Sequence, residues 1–286
     1  MSNKIITNKE EALEVVKQNG LDLRFLGKKL KNDKEVVLAA VKKDGRALEY
    51  AKEELRSDKE IVLEAVKNFG LALQYINEDL KKDKEIVLVA IKQNGIALVF
   101  TSEKFKNNKE IVLLAVKKNG LVLQYVSEKL RDNKEIVLEA VKNNGLAFKY
   151  ASEELKNDKK IILEAVKADY KVLNYLNDEE QNNKDIILEA VKQDERALDY
   201  ASKETRNNKE LMWVAVKQNI NALVDVSENL RNNKDFLYGI KDALEKEKRT
   251  FYSEYELLKK YEREDELIKK IEKSEEIQAL KIKKKI

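Results

Sequence analysis

One segment, DKEIVLEAVKNFG at Asp58–Gly70, recurs along this chain at a constant interval of 25 residues. Near-copies begin at Asp33, Asp83, Asn108, Asn133, Asp158, Asn183, Asn208 and Asn233, and a looser copy begins at Asn8. No insertion or deletion interrupts this spacing. A fixed period of this kind is typical of repeat arrays, in which each unit contacts only its neighbours. The spacing therefore predicts a stack of repeats rather than a globular domain.

The pattern within one repeat predicts a helix that is buried on two sides. We number each repeat from the Asp or Asn that opens it, so that Asp58 is position 1 and Lys82 is position 25. Apolar residues fill positions 4, 5, 6, 8 and 9. At roughly 100° per residue they cover about 200° of the helix surface, which is wider than the stripe of a surface helix. Position 7 is expected near the centre of the remaining, exposed arc.

Local signals divide each repeat into two helices. An N-cap type precedes Glu by three residues at Asn32–Glu35, Ser57–Glu60, Asn107–Glu110 and Asp132–Glu135, the spacing of a capping box. Gly at position 13, such as Gly70, is expected to end the first helix in the left-handed conformation. The apolar run that follows, LALQY at Leu71–Tyr75, predicts a second helix of about two turns, and no period-two alternation is present. The prediction is an all-α solenoid of nine to ten 25-residue helix-turn-helix repeats.

The repeats occupy residues 8–244, and the remainder of the chain departs from them. Repeat starts fall at 8, 33, 58, 83, 108, 133, 158, 183, 208 and 233. Residues 245–286 are highly charged, and their apolar residues recur at helical spacing. We predict a charged amphipathic C-terminal helix there, which either caps the array or protrudes. Trp213, Phe236 and Tyr238 are expected to pack against this end.

The repeat resembles a known family. NKEIVLEAVKNNGLAFKYASEELKND, at Asn133–Asp158, is similar to the repeats called "domain of unknown function 4116", and the resemblance extends over about residues 8–235. It implies a helical repeat array. It brings no established activity, substrate or catalytic residue.

The composition argues against catalysis. The chain contains no Cys and no His, so disulfides, thiolate metal sites and the commonest general base and metal ligand are all missing. The sequence offers no Gly-rich phosphate loop and no catalytic triad, and Asp and Glu recur at scaffold positions. We predict no enzyme activity, no cofactor, no metal site and no small-molecule substrate. Because the chain lacks a signal peptide and a membrane-spanning run, we expect a cytoplasmic protein without membrane contact.

Lysine and arginine form ladders that leave two interpretations open. Lys recurs at positions 2 and 10, and Lys or Arg is common at position 24. These ladders could follow the phosphates of a nucleic acid. However, residues 8–244 carry 43 Lys or Arg and 42 Asp or Glu, so the array is charge-balanced. The interpretation as a solvated structural face is favoured, and nucleic-acid binding is kept as the alternative.

Exposed departures from the consensus are the best candidates for recognition. Position 7, usually Glu, is Val89 and Leu114 in two adjacent repeats, and Lys92 and Lys117 lie beside them. Two further departures are Val99, an apolar residue at outward-facing position 17, and Phe69, which replaces Asn or Asp at position 12. The predicted partner-binding residues are therefore Val89, Val99, Leu114, Lys92, Lys117 and Phe69.

The aromatic ladder at position 18 is expected to belong to the core, with the rings inside and the tyrosine hydroxyls outside. Its members are Phe25, Tyr50, Tyr75, Phe100, Tyr125, Tyr150, Tyr175 and Tyr200. The leading functional hypothesis is a non-enzymatic scaffold that binds another protein through its exposed helix face. An inhibitor or immunity protein is a more specific version of that hypothesis.

Overall fold

The computed structural model of this protein describes residues 6–246, and within that range it leaves out the side chains of Ile220 and of residues 241–246. Each repeat begins with an α-helix that starts at position 2. These helices are Lys9–Gln18, Lys34–Lys43, Lys59–Asn68, Lys84–Gln93, Lys109–Lys118, Lys134–Asn143, Lys159–Ala168, Lys184–Val191, Lys209–Gln218 and Lys234–Lys246. The predicted C-terminal helix of residues 245–286 falls, except for its first two residues, outside the described part of the chain.

The second helix of each repeat is a 3-10 helix. These helices are Gly20–Phe25, Gly45–Tyr50, Gly70–Tyr75, Gly95–Phe100, Gly120–Tyr125, Gly145–Tyr150, Tyr170–Tyr175, Glu195–Tyr200 and Ile220–Asp225. A short turn then closes the repeat: Leu30–Asn32, Leu55–Ser57, Leu80–Lys82, Glu103–Lys106, Glu128–Arg131, Glu153–Lys156, Asp178–Gln181, Thr205–Asn207 and Glu228–Arg231. Residues 6–246 contain no strand beyond a single parallel bridge between Ile6 and Leu26. The predicted all-α solenoid is confirmed.

The α-helices begin one residue later than the capping-box spacing predicted. Position 1 is the N-cap, and its side chain accepts hydrogen bonds from the backbone of the first turn. Asp58 Oδ1, for example, accepts from Glu60 N at 3.0 Å and from Ile61 N at 3.2 Å. Ser57, which the spacing predicted as the cap, is the last residue of the preceding turn. Both residues are favourable N-cap types, so composition alone could not decide between them.

The second helix lies where it was predicted, and its type, which the sequence left open, is 3-10. A 3-10 helix has about three residues per turn, so residues three apart lie above one another. Positions 13, 16 and 19 form such a column, and Gly70, Leu73 and Ile76 are all buried. An α-helix would turn position 19 away from position 13, and the buried edge would be lost.

The glycine at position 13 has a different role from the one predicted. The left-handed conformation is not used: the α-helix is capped by an extended residue at position 12, and Gly starts the 3-10 helix. Instead, the glycine allows two layers to approach closely. A Cβ built on Gly120 would lie 2.2 Å from the carbonyl oxygen of Ala140 in the next repeat. No side chain fits there unless the backbone moves.

The core lies between a layer of α-helices and a layer of 3-10 helices. Within the chain up to Val172, the α-helices of repeats 1–7 pack side by side in order, as do the 3-10 helices of repeats 1–6. Positions 4, 5, 8 and 9 of the α-helix and positions 15, 16 and 19 are buried in repeats 2–9. Position 6, predicted as a stacking position, is only half-buried, as at Leu63.

A second compact unit starts at Leu173. Its α-helices, those of repeats 8–10, also pack in sequence order. The helix Lys184–Val191 has eight residues, two fewer than the helices of repeats 1–7 and 9, and Glu195 occupies the position of the layer glycine. Between the α-helices of repeats 9 and 10, Trp213 packs edge-on against Phe236, with the ring centroids 6.4 Å apart. Phe236 is buried, whereas Tyr238 is mostly exposed. The predicted packing against residues 245–286 stays a prediction, because that segment lies almost entirely outside the described residues.

Candidate interaction surfaces

The outer face of the α-helix layer is formed by positions 2, 3, 10 and 11, which are exposed in repeats 3–6. Position 7 lies on one flank of this face and is half-buried, as at Val89 and Leu114. The prediction that position 7 is the centre of the exposed arc was therefore wrong. The reason is that the neighbouring α-helices, packed on both sides, cover the flanks of each helix.

Contacts between repeats establish which neighbour each flank faces. Lys34 Nζ, at position 2, donates to Asp58 Oδ2 of the next repeat at 2.8 Å. Asn68 Nδ2, at position 11, donates to the carbonyl oxygen of Lys42 in the preceding repeat at 3.2 Å. Residues four apart share a helix flank. Position 6 therefore faces the next repeat, together with position 2, and position 7 faces the preceding repeat.

This geometry brings Val89 beside Leu63 of repeat 3 and Leu114 beside Leu88 of repeat 4. We call these four half-buried residues, Leu63, Leu88, Val89 and Leu114, the apolar seam. At the contacts between repeats 2 and 3, 5 and 6, and 6 and 7, the leucine at position 6 instead faces a glutamate at position 7 of the next repeat. The apolar seam thus departs from its two flanks, where position 7 is Glu64 and Glu139; elsewhere in the array position 7 is also apolar at Ala39 and Val214.

The loss of glutamate at position 7 also changes the lysine at position 10. In repeat 3, Lys67 Nζ lies 2.8 Å from Glu64 Oε1, and in repeat 8, Lys192 Nζ lies 2.6 Å from Glu189 Oε1. Lys117 reaches only Glu139 of the following repeat, at 3.9 Å. Over residues 6–246, the ammonium group of Lys92 has no ion-pair or hydrogen-bonding partner. The helices of repeats 4 and 5 together carry five lysines and two glutamates, whereas the helix of repeat 3 carries two of each.

Six of the lysines at position 2 form ion pairs with acidic side chains of the next repeat: Lys9, Lys34, Lys59, Lys109, Lys134 and Lys184. Lys59 Nζ lies 2.8 Å from both Asp83 Oδ2 and Glu85 Oε2 of the next repeat. The hydrogen bond from Lys59 lowers the pKa of the Asp83 carboxyl, and Lys134 does the same for the pKa of Asp158. These lysines join successive layers, and their charge is already neutralised on the surface.

Replacing Asp83 and Asp158 by Asn tests this ladder. A carboxyl whose folded pKa is lowered stabilises the fold above its unfolded pKa, and that stability is lost as the pH falls through the folded value. As the pH is lowered from about 5 to about 3, we expect the unfolding free energy of the variant with Asp83→Asn and Asp158→Asn to fall less than that of the parent. The N-caps are kept, because Asn occupies position 1 in other repeats, so the change at pH 7 should be small. Urea unfolding at several pH values measures this, and identical pH dependence in both proteins would refute it.

Several Lys and Arg side chains at position 24 also donate hydrogen bonds within the protein. Lys31 Nζ donates to the carbonyl oxygen of Arg24 at 2.7 Å. Arg206 donates to the carbonyl oxygens of Leu198 and Ala201 at 2.9 and 3.2 Å, and its Nη1 lies 3.2 Å from Asp225 Oδ1. These side chains satisfy carbonyl groups at the C-terminal ends of 3-10 helices, as expected of cations there. They are less available to a phosphate backbone than the sequence pattern predicted.

Amide side chains at position 11 form a further joint that the sequence analysis missed. Asn143 Oδ1 accepts from Gly120 N at 2.7 Å, and its Nδ2 donates to the Lys117 carbonyl oxygen at 3.0 Å. One amide of repeat 6 thus bonds both to the end of the α-helix and to the start of the 3-10 helix of repeat 5. Gln93 makes the equivalent bond to Gly70 N at 2.7 Å. No local pattern marks this role, because the partners lie in another repeat.

Removing this amide should weaken the joint between repeats 5 and 6. We expect Asn143→Leu to lower the unfolding free energy by about 1.5 kcal/mol, because it leaves a backbone donor and an acceptor without their partner. Asn143→Gln is the matched control and should cost much less, since Gln93 already makes this contact in repeat 4. Equilibrium urea unfolding followed by circular dichroism gives both values. Equal losses in the two variants would contradict this role of the amide.

The outer face of the 3-10 layer is formed by positions 14, 17 and 18. Val99 lies on this face and is half-buried. The aromatic ladder also lies here and does not belong to the core as predicted: Tyr125 is 44% exposed, and Phe100 is half-buried. Because each ring stands on a short 3-10 helix above the buried positions 15 and 16, one side of it stays open to solvent.

Phe69 lies at the junction between the two layers. Position 12 is elsewhere the N-cap of the 3-10 helix, as where Asn94 Oδ1 accepts from Ile96 N at 3.0 Å. Phe69 makes no such cap bond and is half-buried. It is therefore not the exposed contact residue that was predicted. It also cannot form the N-cap hydrogen bond that position 12 forms in other repeats.

The six predicted partner-binding residues do not form one site. Val89, Leu114, Lys92 and Lys117 belong to the face of the α-helix layer. Val99 lies on the 3-10 layer, on the other side of the core, and Phe69 lies between the layers. The structure therefore distributes these residues over two separate surfaces in repeats 3–5, and their role in partner binding stays a prediction.

The described chain offers few other features that could hold a ligand. No group of three or more Asp or Glu residues in residues 6–246 is arranged to hold a metal ion. None of the helices in this range is long and apolar enough to cross a membrane. In the second unit, an open polar depression of about 650 Å³ is lined by residues that include Ser202 and Thr205. Their hydroxyls are 2.9 Å apart and bond to each other.

Comparison with known families gives one result. The family model described as "Domain of unknown function (DUF4116)" matches in tandem at residues 8–56, 58–106, 90–131, 133–181 and 183–231. No curated protein and no solved structure matches the chain. The resemblance seen in the repeat sequence is therefore confirmed.

Proposed function

The chain belongs to the DUF4116 family, and from the surfaces described above we propose that it is a non-enzymatic scaffold that binds another protein through its α-helix layer. The single observation that carries this proposal is the apolar seam in repeats 3–5. In this chain 38% of the residues are charged, yet four aliphatic side chains lie together there. In repeats 3 and 6, on either side, position 7 is a glutamate. Apolar groups kept at a charged surface are typical of protein-binding sites.

The charge around the seam indicates the chemistry of the partner. Lys92 has no acidic partner in the described chain, and the helices of repeats 4 and 5 have an excess of lysine. A partner segment with apolar side chains in the seam and Asp or Glu beside it would bury the aliphatic groups and pair these lysines. Complementary charge of this kind favours the correct partner and speeds association. We therefore propose an acidic amphipathic segment, such as one face of a helix.

The nucleic-acid alternative stays a prediction and has less support. Most lysines at position 2, and the cations at position 24, are engaged in contacts within the protein, as Lys59 and Arg206 illustrate. Phosphate binding would have to displace those contacts. The cytoplasmic location also stays a prediction, as does the role of inhibitor or immunity protein, in which the bound segment would belong to an active enzyme or toxin.

Selection from a library of displayed random peptides tests the proposal and does not require the partner to be identified first. The full chain is immobilised, and binders are counter-selected against Val89→Glu with Leu114→Glu. This variant restores the consensus residue at both positions, so its fold should be retained. We expect the enriched peptides to be apolar on one side and acidic beside it. Enrichment of peptides that bind parent and variant equally, or of basic peptides lost in the variant, would contradict the proposal.

A further inference from the structure

The dipeptide Asn-Gly recurs where the α-helix gives way to the 3-10 helix, at 19–20, 94–95, 119–120 and 144–145. Asparagine before glycine is especially prone to spontaneous deamidation, because glycine has no side chain to hinder the reaction. The four pairs share their local geometry. Each asparagine is an extended N-cap whose side chain accepts from the nitrogen at position 14, and each glycine is buried. Differences in reactivity must therefore come from the neighbouring repeat.

The backbone nitrogen of the glycine is the attacking atom in this reaction. It loses its proton and forms a bond to Cγ of the asparagine, and the side-chain nitrogen takes up a proton and leaves as ammonia. Water then opens the resulting cyclic imide at either carbonyl and gives aspartate or isoaspartate. Water is consumed, ammonia is released, and nothing is oxidised or reduced. A glycine nitrogen that is held in a hydrogen bond is less available for this attack.

One of the four glycine nitrogens is covered by the amide joint between repeats. Gly120 N donates to Asn143 Oδ1 of the next repeat at 2.7 Å. The residues at position 11 that follow the other three pairs have no amide: they are Lys43, Lys118 and Ala168. Over residues 6–246, the nitrogens of Gly20, Gly95 and Gly145 donate no hydrogen bond. The pair at 119–120 is therefore protected in a way that the other three are not.

Ion pairs distinguish the three uncovered joints. Gly95 is buried, so its nitrogen can react only when the repeats open locally, and local opening is easiest where few bonds hold them. The joints after repeats 1 and 6 are each held by an ion pair from the lysine at position 2, Lys9 and Lys134. Between repeats 4 and 5, Lys84 has no ion-pair partner within the described chain, and position 1 of repeat 5 is the uncharged Asn108.

The backbone contact between repeats 4 and 5 is also long. Ser127 N, at position 20, donates to the carbonyl oxygen of Lys106 at 3.5 Å. The corresponding bond between repeats 5 and 6, from Ser152 N to the carbonyl oxygen of Arg131, is 3.1 Å. The joint that contains Gly95 thus has a weak backbone bond, no ion pair from position 2 and no amide from position 11.

From these contacts we infer that Asn94 is a site of spontaneous deamidation in the folded protein, and that Asn119 is protected. The aspartate product fits the fold, because Asp44 already occupies position 12 in repeat 2 and accepts from Arg46 N at 2.9 Å. Isoaspartate does not fit in the same way, since it adds a carbon atom to the main chain beside Gly95.

The added main-chain atom would act at a point where two repeats meet closely. A Cβ built on Gly95 would lie only 2.5 Å from the carbonyl oxygen of Ala115 in repeat 5. Leu88 and Leu114 of the apolar seam belong to the same two repeats. Isoaspartate at position 94 would therefore disturb the joint beneath the seam. The inference itself does not depend on the proposed function, because the reaction needs no partner.

Peptide mapping of the aged full-length chain tests the inference. The folded protein is incubated at mildly alkaline pH, digested, and analysed by liquid chromatography with mass spectrometry, which separates the aspartate and isoaspartate forms of each peptide. We expect Asn94 to convert about tenfold faster than Asn119. The chain unfolded in urea is the reference. There the two pairs should convert at similar rates, since an aliphatic residue follows each of them, Ile96 and Leu121.

Substitutions at position 11 move the protection from one joint to the other. Lys118→Asn places an amide opposite Gly95 and should slow conversion of Asn94 about fivefold. Lys118→Ala is the matched control, because it removes the same lysine without supplying an amide, and it should not slow the reaction. Asn143→Leu should speed conversion of Asn119 and leave Asn94 unchanged. Thermal unfolding by circular dichroism shows that each variant is folded during the incubation.

The inference is overturned if Asn94 and Asn119 convert equally fast in the folded chain. Unreacted Asn94 in the folded chain, after the unfolded chain has converted, would also overturn it. So would equal rates for Asn94 in Lys118→Asn and Lys118→Ala, or an Asn119 that stays slow in urea, since local sequence would then explain the difference. The peptide-binding experiments on the apolar seam have no bearing on this result, so either proposal can fail alone.

Discussion

Gly120→Ala should destabilise the protein by about 2–3 kcal/mol, although glycine-to-alanine changes at a compatible backbone usually stabilise by about 0.4–1 kcal/mol. The Cβ of alanine would lie 2.2 Å from the carbonyl oxygen of Ala140 and 3.2 Å from Asn144 N, both on the backbone of the next repeat. Backbone atoms cannot turn aside as a flexible side chain can. The two layers must separate, and the packing of repeats 5 and 6 is lost locally. Equilibrium urea unfolding of parent and variant measures the difference.

Gly120→Asn separates this explanation from the usual one for a glycine after a helix. If the glycine were needed for a left-handed backbone, Asn would be tolerated better than Ala, because Asn adopts that conformation more readily. If close approach is the cause, Asn should cost at least as much as Ala, since it brings the same Cβ and more atoms. A stabilising Gly120→Ala, or a Gly120→Asn variant that unfolds like the parent, would show that the layers do not meet as described.

Val89→Glu with Leu114→Glu should weaken binding of a seam-selected peptide by at least about 30-fold, or about 2 kcal/mol. The double change removes two aliphatic contacts and introduces two carboxylates. These carboxylates would repel an acidic partner and compete for Lys92 and Lys117. Since apolar burial contributes about 25 cal/mol per Å², even partial burial of both side chains accounts for much of this loss. Isothermal titration calorimetry at fixed ionic strength gives both affinities.

Val214→Glu is the matched control for this experiment. Val214 occupies position 7 in repeat 9 and is half-buried like Val89, but it lies outside the apolar seam. Its replacement adds the same charge at an equivalent position of another repeat. We expect the affinity for the peptide to stay within about twofold of the parent, a change of only a few tenths of a kcal/mol. An equal loss in Val214→Glu would indicate a general effect of charge instead of a local site.

The repeat sequence was sufficient to predict the solenoid, because its fixed period and wide apolar arc leave few other ways to bury the helix. It was not sufficient for the second helix. The run from Gly70 to Tyr75 fits both an α-helix and a 3-10 helix on composition. The buried column of Gly70, Leu73 and Ile76 at intervals of three was the available signal, and it distinguishes the two.

The candidate surfaces were predicted only in part, because exposure in a repeat protein depends on neighbouring layers. Val89 was correctly identified as a departure from the consensus, but its half-buried position depends on the α-helix of the preceding repeat. Val99 was grouped with it by nearness in sequence, although the core separates them. The amide of Asn143 could not be assigned from its own repeat, since both of its partners, Gly120 and Lys117, lie in the preceding repeat.

The most direct test of the proposed function is to move the apolar seam along the array. Glu139→Val with Glu164→Leu, added to Val89→Glu with Leu114→Glu, places the same side chains beside Leu113 and Leu138 two repeats later. It also frees Lys167 from Glu164, whose Oε1 lies 3.4 Å from its Nζ. Calorimetric titration of the four-substitution chain with the seam-selected peptide should recover most of the affinity that the double variant loses. Affinity as weak as that of the double variant, with an unchanged unfolding midpoint, would contradict the claim that these departures carry recognition.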